Sequence, residues 1–328
     1  MSIRRLGVEE TVFRLAETFT ISRGSRDQAN VITVSITEDG HTGFGECVPY
    51  ARYDETVGGV IAAIKALQPD IEAGAARAEL QSLLPVGAAR NALDCALWDL
   101  EAKQSGKRVY ELAGLPQPEP VTTAFTLSLE APGVMREKAR KNAHRPLLKI
   151  KLGGEGDIDR IKAVREGAPE TAIVVDANEG WSVETYRSLA PDLLRLGVRM
   201  VEQPLPAGKD EALLELDRIL PVCADESCHD RSSLPSLVGK YDMVNIKLDK
   251  TGGLTEALLL KDEALAAGYA IMVGCMVGSS LAMAPAVLVA QGVDIVDLDG
   301  PLLLAEDRDH PLVYKDGGVC PSEPELWG

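Results

Sequence analysis

Past residue 120 the chain alternates short apolar, β-rich runs with longer amphipathic stretches. The apolar runs fall at residues 121–129, 147–152, 172–177, 198–202, 222–225, 243–248, 270–275 and 294–299, and successive starts lie 21 to 27 residues apart. Between them, residues 158–166, 183–196 and 254–267 carry apolar positions at helical spacing. Eight strands alternating with helices at near-constant period predict a parallel β/α barrel. The competing architecture is a doubly wound open sheet. Its first strand-to-helix turn should carry a glycine-rich fingerprint, and this chain has none there. Residues 1–120 read differently. Residues 31–36 and 41–46 are β-rich and flank Asp39-Gly40, which predicts a hairpin. Gly43-Phe44-Gly45 lies inside that hairpin with no helix opening after it, so a nucleotide loop is excluded by context. Residues 54–67 and 88–103 read as helices, the second with Leu93, Leu97 and Leu100 on one face. Pro116, Pro118 and Pro120 then punctuate the chain. The expected class is α/β, a modified (β/α)7β TIM-type barrel at residues 121–300. An α+β capping domain at 1–120 precedes it. Residues 301–328 lack a strong helix and are expected to return toward the cap.

Composition narrows the function classes. The 328 residues hold 45% hydrophobic and 26% charged side chains, ordinary for a folded soluble protein. Lys and Arg number 34 against 50 Asp and Glu, a net charge of −16, so a broad nucleic-acid surface is excluded. No apolar stretch follows Arg4 and Arg5, which argues against a secretory signal. Residues 264–293 carry no charge, and Gly274 and Gly278 form a GxxxG pair. However, Gly268, Gly274, Gly278, Pro285 and Gly292 cut that stretch into pieces too short to span a bilayer. No membrane association is expected. The six cysteines are too loosely spaced for a disulfide scaffold, which points to reduced thiols in a cytoplasmic protein. Cys223, Cys228 and His229 lack a second ligand pair at zinc-site spacing, so that cluster is read as incidental.

In a barrel, side chains at the C-terminal strand ends face a common mouth. Here Asp176, Glu202 and Asp225 end the third, fourth and fifth runs. Any one of them fits a helix N-cap. Three converging carboxylates repel unless a cation lies among them, and an all-oxygen set on a rigid frame suits Mg2+. Lys149 and Lys151 are two apart on the second run and share a face. Mutual repulsion and burial would depress such amines and leave one of them partly neutral near pH 7. Lys247 lies on the sixth run, across the barrel from the second. A carbon acid beside a carboxylate gives an enediolate on deprotonation, whose charge a divalent cation offsets. Amines on both faces of that planar species let a proton leave one side and return on the other. The pair therefore leans toward epimerisation, although one lysine would suffice for an elimination.

These residues resemble the muconate-lactonising subgroup of the enolase superfamily, and within it the dipeptide epimerases that act on L-Ala-D/L-Glu. The discriminating piece is Asp297-Leu298-Asp299, which in those enzymes holds the free α-ammonium of the dipeptide. The segments 88–98, 223–229 and 245–253 are also similar. The resemblance implies Lys151 and Lys247 as the acid/base pair and Lys149 at the substrate carboxylate. It implies Asp176, Glu202 and Asp225 on Mg2+, and Thr126, Cys275, Asp297 and Asp299 around the dipeptide. It further implies a role in murein peptide recycling and is compatible with a homo-oligomer. In the cap, Arg23 and Arg26 are both candidates for pairing with the glutamyl carboxylate. On the same scaffold, o-succinylbenzoate synthase, N-succinylamino acid racemase and muconate cycloisomerase are the alternatives. Their substrates lack a free ammonium for the Asp297/Asp299 pair. A metal-free lysine aldolase and a non-catalytic binding module stand further off.

Overall fold

The computed structural model describes residues 4–328. Eight parallel strands lie in consecutive order: Phe125–Leu127, Leu147–Lys151, Ala172–Asp176, Val198–Glu202, Val222–Ala224, Met243–Ile246, Ala270–Gly274 and Ile295–Asp297. The Ala124 N–H donates to the Val296 carbonyl at 2.8 Å and closes the sheet on itself. Alternation divides each strand between two cores. Leu147, Val174, Met200, Cys223, Met243 and Met272 fill the barrel interior. Leu148, Ile150, Ile173, Val175, Val201, Val244 and Ile246 instead join the larger cluster that includes the outer helices. The period of two carries the inward set on to Lys149, Lys151, Asp176, Glu202, Asp225 and Lys247 at the C-terminal mouth.

The cap is a three-stranded antiparallel sheet of Arg5–Ile21, Gly24–Glu38 and His41–Cys47, covered by the helix Ala88–Ser105. The two glycines of the third strand are there for contact with that helix. A Cβ at Gly43 or Gly45 would stand 2.2 Å from the Ala96 carbonyl oxygen or 2.1 Å from that of Ala92. The helix is buried nearly all round, with Arg90, Asn91, Asp94 and Asp99 inside alongside its leucines. Those polar residues reach other parts of the chain. Arg90 donates to the Thr251 carbonyl at 2.7 Å and Asn91 to Asp249 at 2.9 Å, while Asp94 accepts the Thr255 N–H at 2.9 Å. The helix thus grips the segment that follows the sixth barrel strand.

Several details depart from the sequence reading. The run at 121–129 is two strands, because Thr123 turns its N–H to the Gly317 carbonyl at 3.0 Å. Val121–Thr122 pairs with Gly318–Val319 of a C-terminal hairpin, and only Phe125–Leu127 enters the barrel. Arg5–Ile21, seventeen residues long, is a strand whose sequence has no clear alternation to predict it. Residues 264–293 are the end of one helix, the strand Ala270–Gly274 and the helix Ser280–Val289. Among the described residues, no helix is long and apolar enough to cross a membrane. The tail lies against the long cap helix, with the Trp327 indole donating to the Cys95 carbonyl at 3.1 Å and the Gly328 N–H to Asp99 at 2.8 Å.

Candidate active site

Asp176, Glu202 and Asp225 are fully buried, and one oxygen of each lies within 4.8 Å of the others. Each carboxylate has one oxygen held by a neighbour. Asp176 Oδ1 accepts the Asn178 N–H at 2.8 Å, Glu202 Oε1 accepts Asn245 Nδ2 at 2.7 Å, and Asp225 Oδ1 accepts Lys250 Nζ at 2.7 Å. Asn178 takes a left-handed backbone (φ 43°) to make its bond. The other three oxygens each face a lysine, and Asp176 Oδ2 also accepts Asn178 Nδ2 at 3.1 Å. Lys151 Nζ is 2.6 Å from Asp176 Oδ2, Lys247 Nζ is 2.6 Å from Asp225 Oδ2, and Lys149 Nζ is 2.6 Å from Glu202 Oε2. The last contact lacks hydrogen-bond alignment, so Glu202 Oε2 is a buried acceptor without a donor.

The electrostatics follow from this crowding. Burial and the neighbouring Asp176 push Glu202 up to about 7. Burial would also raise Asp176, but the Lys151 and Lys149 ammoniums outweigh it and hold it at about 2. The mutual depression expected of the paired lysines is not what governs Lys149. Burial lowers it, yet Asp297, Glu202 and Asp176 together lift it well above the usual range. Lys247 is raised in the same way by Asp225 and Glu202. A divalent cation fits this set. Three hard oxygen ligands converge at one depth, one of them unpartnered, and the ammoniums supply the charge balance a cation would otherwise provide. Among the described residues this is the only group of three or more His, Cys, Asp or Glu side chains able to hold a metal. Cys223 and Cys228 are simply buried.

The lysines line one cavity, together with Thr126, Cys275, Asp297 and Asp299 and the cap residues Phe19, Ile21, Arg23, Arg26 and Tyr50. Lys151 ends the second strand and Lys247 follows the sixth, on opposite staves of an eight-stranded barrel. Lys247 is the residue preceding a short helix, Leu248–Thr251, rather than part of its strand. Asp299 likewise lies just past the eighth strand. Asp297 accepts Lys149 Nζ at 2.7 Å, and Asp299 accepts the Thr126 N–H at 2.6 Å. Burial and Asp297 push Asp299 up to about 7. Two carboxylates with one ammonium between them leave this end of the cavity receptive to a cationic group.

The two arginines differ. Arg23 donates to the Asn178 carbonyl and to Glu226, each at 2.7 Å, and lies 3.1 Å from Glu179, so its charge is spent on fastening the cap hairpin to the barrel. Arg26 makes no ion pair among the described residues, stacks 5.8 Å from the Phe19 ring centroid and has its basicity lowered by burial. Lys250, Asn245, Asn178 and Glu226 escaped the sequence reading. The first two lie in the segment 245–253 that resembles the dipeptide epimerases, but nothing in that segment assigned them a role.

Two family models match nearly the whole chain. One is the mandelate racemase / muconate lactonizing enzyme N-terminal domain, at residues 6–114, and the other the enolase C-terminal domain-like family, at residues 134–324. The chain belongs to the enolase superfamily. It is 46% identical over 317 residues, 96% of this chain and 99% of the relative, to the L-Ala-D/L-Glu epimerase of Escherichia coli strain K12. It is 47% identical over 300 residues, 91% of this chain and 95% of the relative, to an N-acetyl-D-glutamate racemase of a Pseudoalteromonas species. A crystal structure of an Agrobacterium tumefaciens enolase family member with homology to dipeptide epimerases, with bound sodium and L-Ala-L-Glu, superposes with a TM-score of 0.97. The two chains are 53% identical, over 99% of this chain and 100% of that one. A Cytophaga hutchinsonii dipeptide epimerase complexed with Mg and D-Ala-L-Val gives 0.91 at 28% identity, over 98% and 94%.

Proposed function

We propose that this protein is a Mg2+-dependent isomerase that inverts the α-carbon of the C-terminal residue of a dipeptide, interconverting L-Ala-D-Glu and L-Ala-L-Glu. The observation that carries this reading is the placement of Lys151 and Lys247 on opposed staves of one cavity, with the three carboxylates on the strands between. One lysine, as the free amine, removes the α-proton. The other, as the ammonium, delivers its proton to the opposite face, so the substrate leaves with its formula unchanged and its configuration reversed. Asp176, Glu202 and Asp225 would hold the divalent cation, which when bound would offset negative charge developing on the substrate carboxylate. Lys149 adds a fixed positive charge at the same carboxylate.

Asp297 and Asp299 hold the α-ammonium of the N-terminal residue, and Thr126 fixes Asp299 through its backbone N–H. Cys275 borders the same end. Arg26, rather than Arg23, pairs with the glutamyl carboxylate, because its guanidinium is the one without an acidic partner. Phe19 and Ile21 of the same cap hairpin exclude water above the reacting carbon. Such a reaction suits the salvage of cell-wall peptides.

A second reading, racemisation of N-acetylglutamate, is favoured by the similarly close relative. It leaves two buried carboxylates facing an uncharged acetyl group. Each compound is to be incubated with enzyme and Mg2+, and the epimer ratio followed by chiral chromatography. The expected kcat/KM for the dipeptide exceeds that for N-acetylglutamate by about 100-fold, the scale of an unpaired buried charge. Preference for N-acetylglutamate refutes the dipeptide assignment.

A further inference from the structure

Two lysines three residues apart hold the two oxygens of Asp225 in different ways. Lys247 Nζ has a single carboxylate contact, at Oδ2, and lines the cavity. Lys250 is absent from the cavity lining and only 1% exposed. Its ammonium donates to Asp225 Oδ1 at 2.7 Å, to the Asp225 carbonyl at 2.6 Å and to the Asn245 carbonyl at 2.8 Å. An ammonium has three N–H groups, and here all three are used. Lys250 is therefore fixed, while Lys247 needs to give up only one contact to move. The segment carrying both is held in turn by Arg90 and Asn91 of the cap helix.

We infer that Lys250 is a positioning residue that makes Asp225 a one-oxygen ligand and thereby biases the carboxylate site toward small divalent cations over large ones. The inference rests on the metal-site reading above and deepens it. Ca2+ takes six to eight oxygens and readily uses both oxygens of a carboxylate, whereas Mg2+ holds to compact octahedral geometry with single-oxygen contacts. The other two carboxylates are restrained similarly, Asp176 Oδ1 by the Asn178 N–H and Glu202 Oε1 by Asn245 Nδ2. The Lys250 restraint differs in being charged, so it holds more strongly than a neutral donor. Removing it frees Asp225 Oδ1 for a larger ion.

The test is calorimetric titration of Mg2+ and of Ca2+ into the metal-stripped full-length wild type, Lys250→Gln and Lys250→Met, with circular dichroism as a fold check. The wild type is expected to prefer Mg2+. In Lys250→Met the Ca2+-to-Mg2+ affinity ratio should rise at least about tenfold. In Lys250→Gln, whose amide reaches Oδ1 but not both carbonyls as well, it should rise about threefold. With Mg2+, kcat should fall in both while KM for the dipeptide stays within about twofold, since Lys250 does not touch substrate. An unchanged ratio in the folded variants overturns the inference while leaving the metal site intact. If Lys250→Met does not fold, the ratio in Lys250→Gln decides alone. A wild type that binds neither cation refutes the metal site itself, and this inference with it.

Discussion

The carboxylates at the base of the cavity and the arginines at its roof come from different kinds of structure. Asp176, Glu202 and Asp225 are at most 2% exposed and close the ends of barrel strands. Each is held by a neighbour on the barrel itself. Arg23 belongs to the cap hairpin, its side chain is 28% exposed, and its contacts reach across to loops after the third and fifth strands. A strand end inside a closed sheet has little freedom and fixes a side chain well. A hairpin tip held by a few charged contacts can differ between relatives without disturbing the barrel. On the proposed reading, the base sets the reaction and the roof sets which side chain is accepted.

Substitutions can separate these roles. Asp297→Asn removes half of the ammonium site at the base, and kcat/KM for L-Ala-Glu should fall about 100-fold, mostly through KM. Steady-state kinetics check this, and a small effect on the dipeptide would mean that its ammonium lies elsewhere. Arg26→Met at the roof should cost about 20-fold with glutamyl dipeptides and almost nothing with L-Ala-L-Leu. Arg23→Met should affect both substrates alike by a smaller factor, because it loosens the hairpin rather than the substrate. If Arg23→Met proves the selective one, the two roles are exchanged.

A pH-dependent effect on stability lies outside both regions. Asp249, under the cap helix, is pushed up to about 7 by burial, with the charges of Glu55 and Glu46 adding to it. A carboxyl raised above its unfolded value of about 3.9 favours the folded state most at low pH, and that contribution is lost as pH rises through about 4 to 7. Asp249→Asn keeps the oxygen that accepts the Val48 and Asn91 bonds. It should leave stability near pH 4 almost unchanged and add about 4 kcal/mol at pH 8, the gap of ~3 pH units at ~1.4 kcal/mol each, read by urea unfolding. A variant equally stabilised at both pH values would show that ionisation is not the cause.

The barrel was legible because each strand alternates between two buried environments and the period of strand starts hardly varies. The same alternation brought the acids and lysines into view, since any side chain ending a barrel strand reaches the mouth. Arg5–Ile21 was not legible. Its pairing with Gly24–Glu38 contains a register shift between Arg14 and Phe19, and charged residues break its alternation. Lys250 was hidden for a different reason. It sits in a four-residue helix with no periodic signal, and two of its three acceptors are backbone carbonyls, which sequence does not display. Nor could sequence separate Arg23 from Arg26, whose difference lies in partners more than 150 residues away in the chain.

The central claim is that two amines serve opposite faces of one carbon. Lys151→Met and Lys247→Met, each given L-Ala-L-Glu and L-Ala-D-Glu separately in heavy water with Mg2+, test it directly by proton NMR at the glutamyl α-position. Each variant should lose epimerisation by at least about 1,000-fold yet still exchange the α-hydrogen of one epimer, and the two variants should retain opposite epimers. Retained epimerisation in either variant, or exchange of the same epimer by both, contradicts the account.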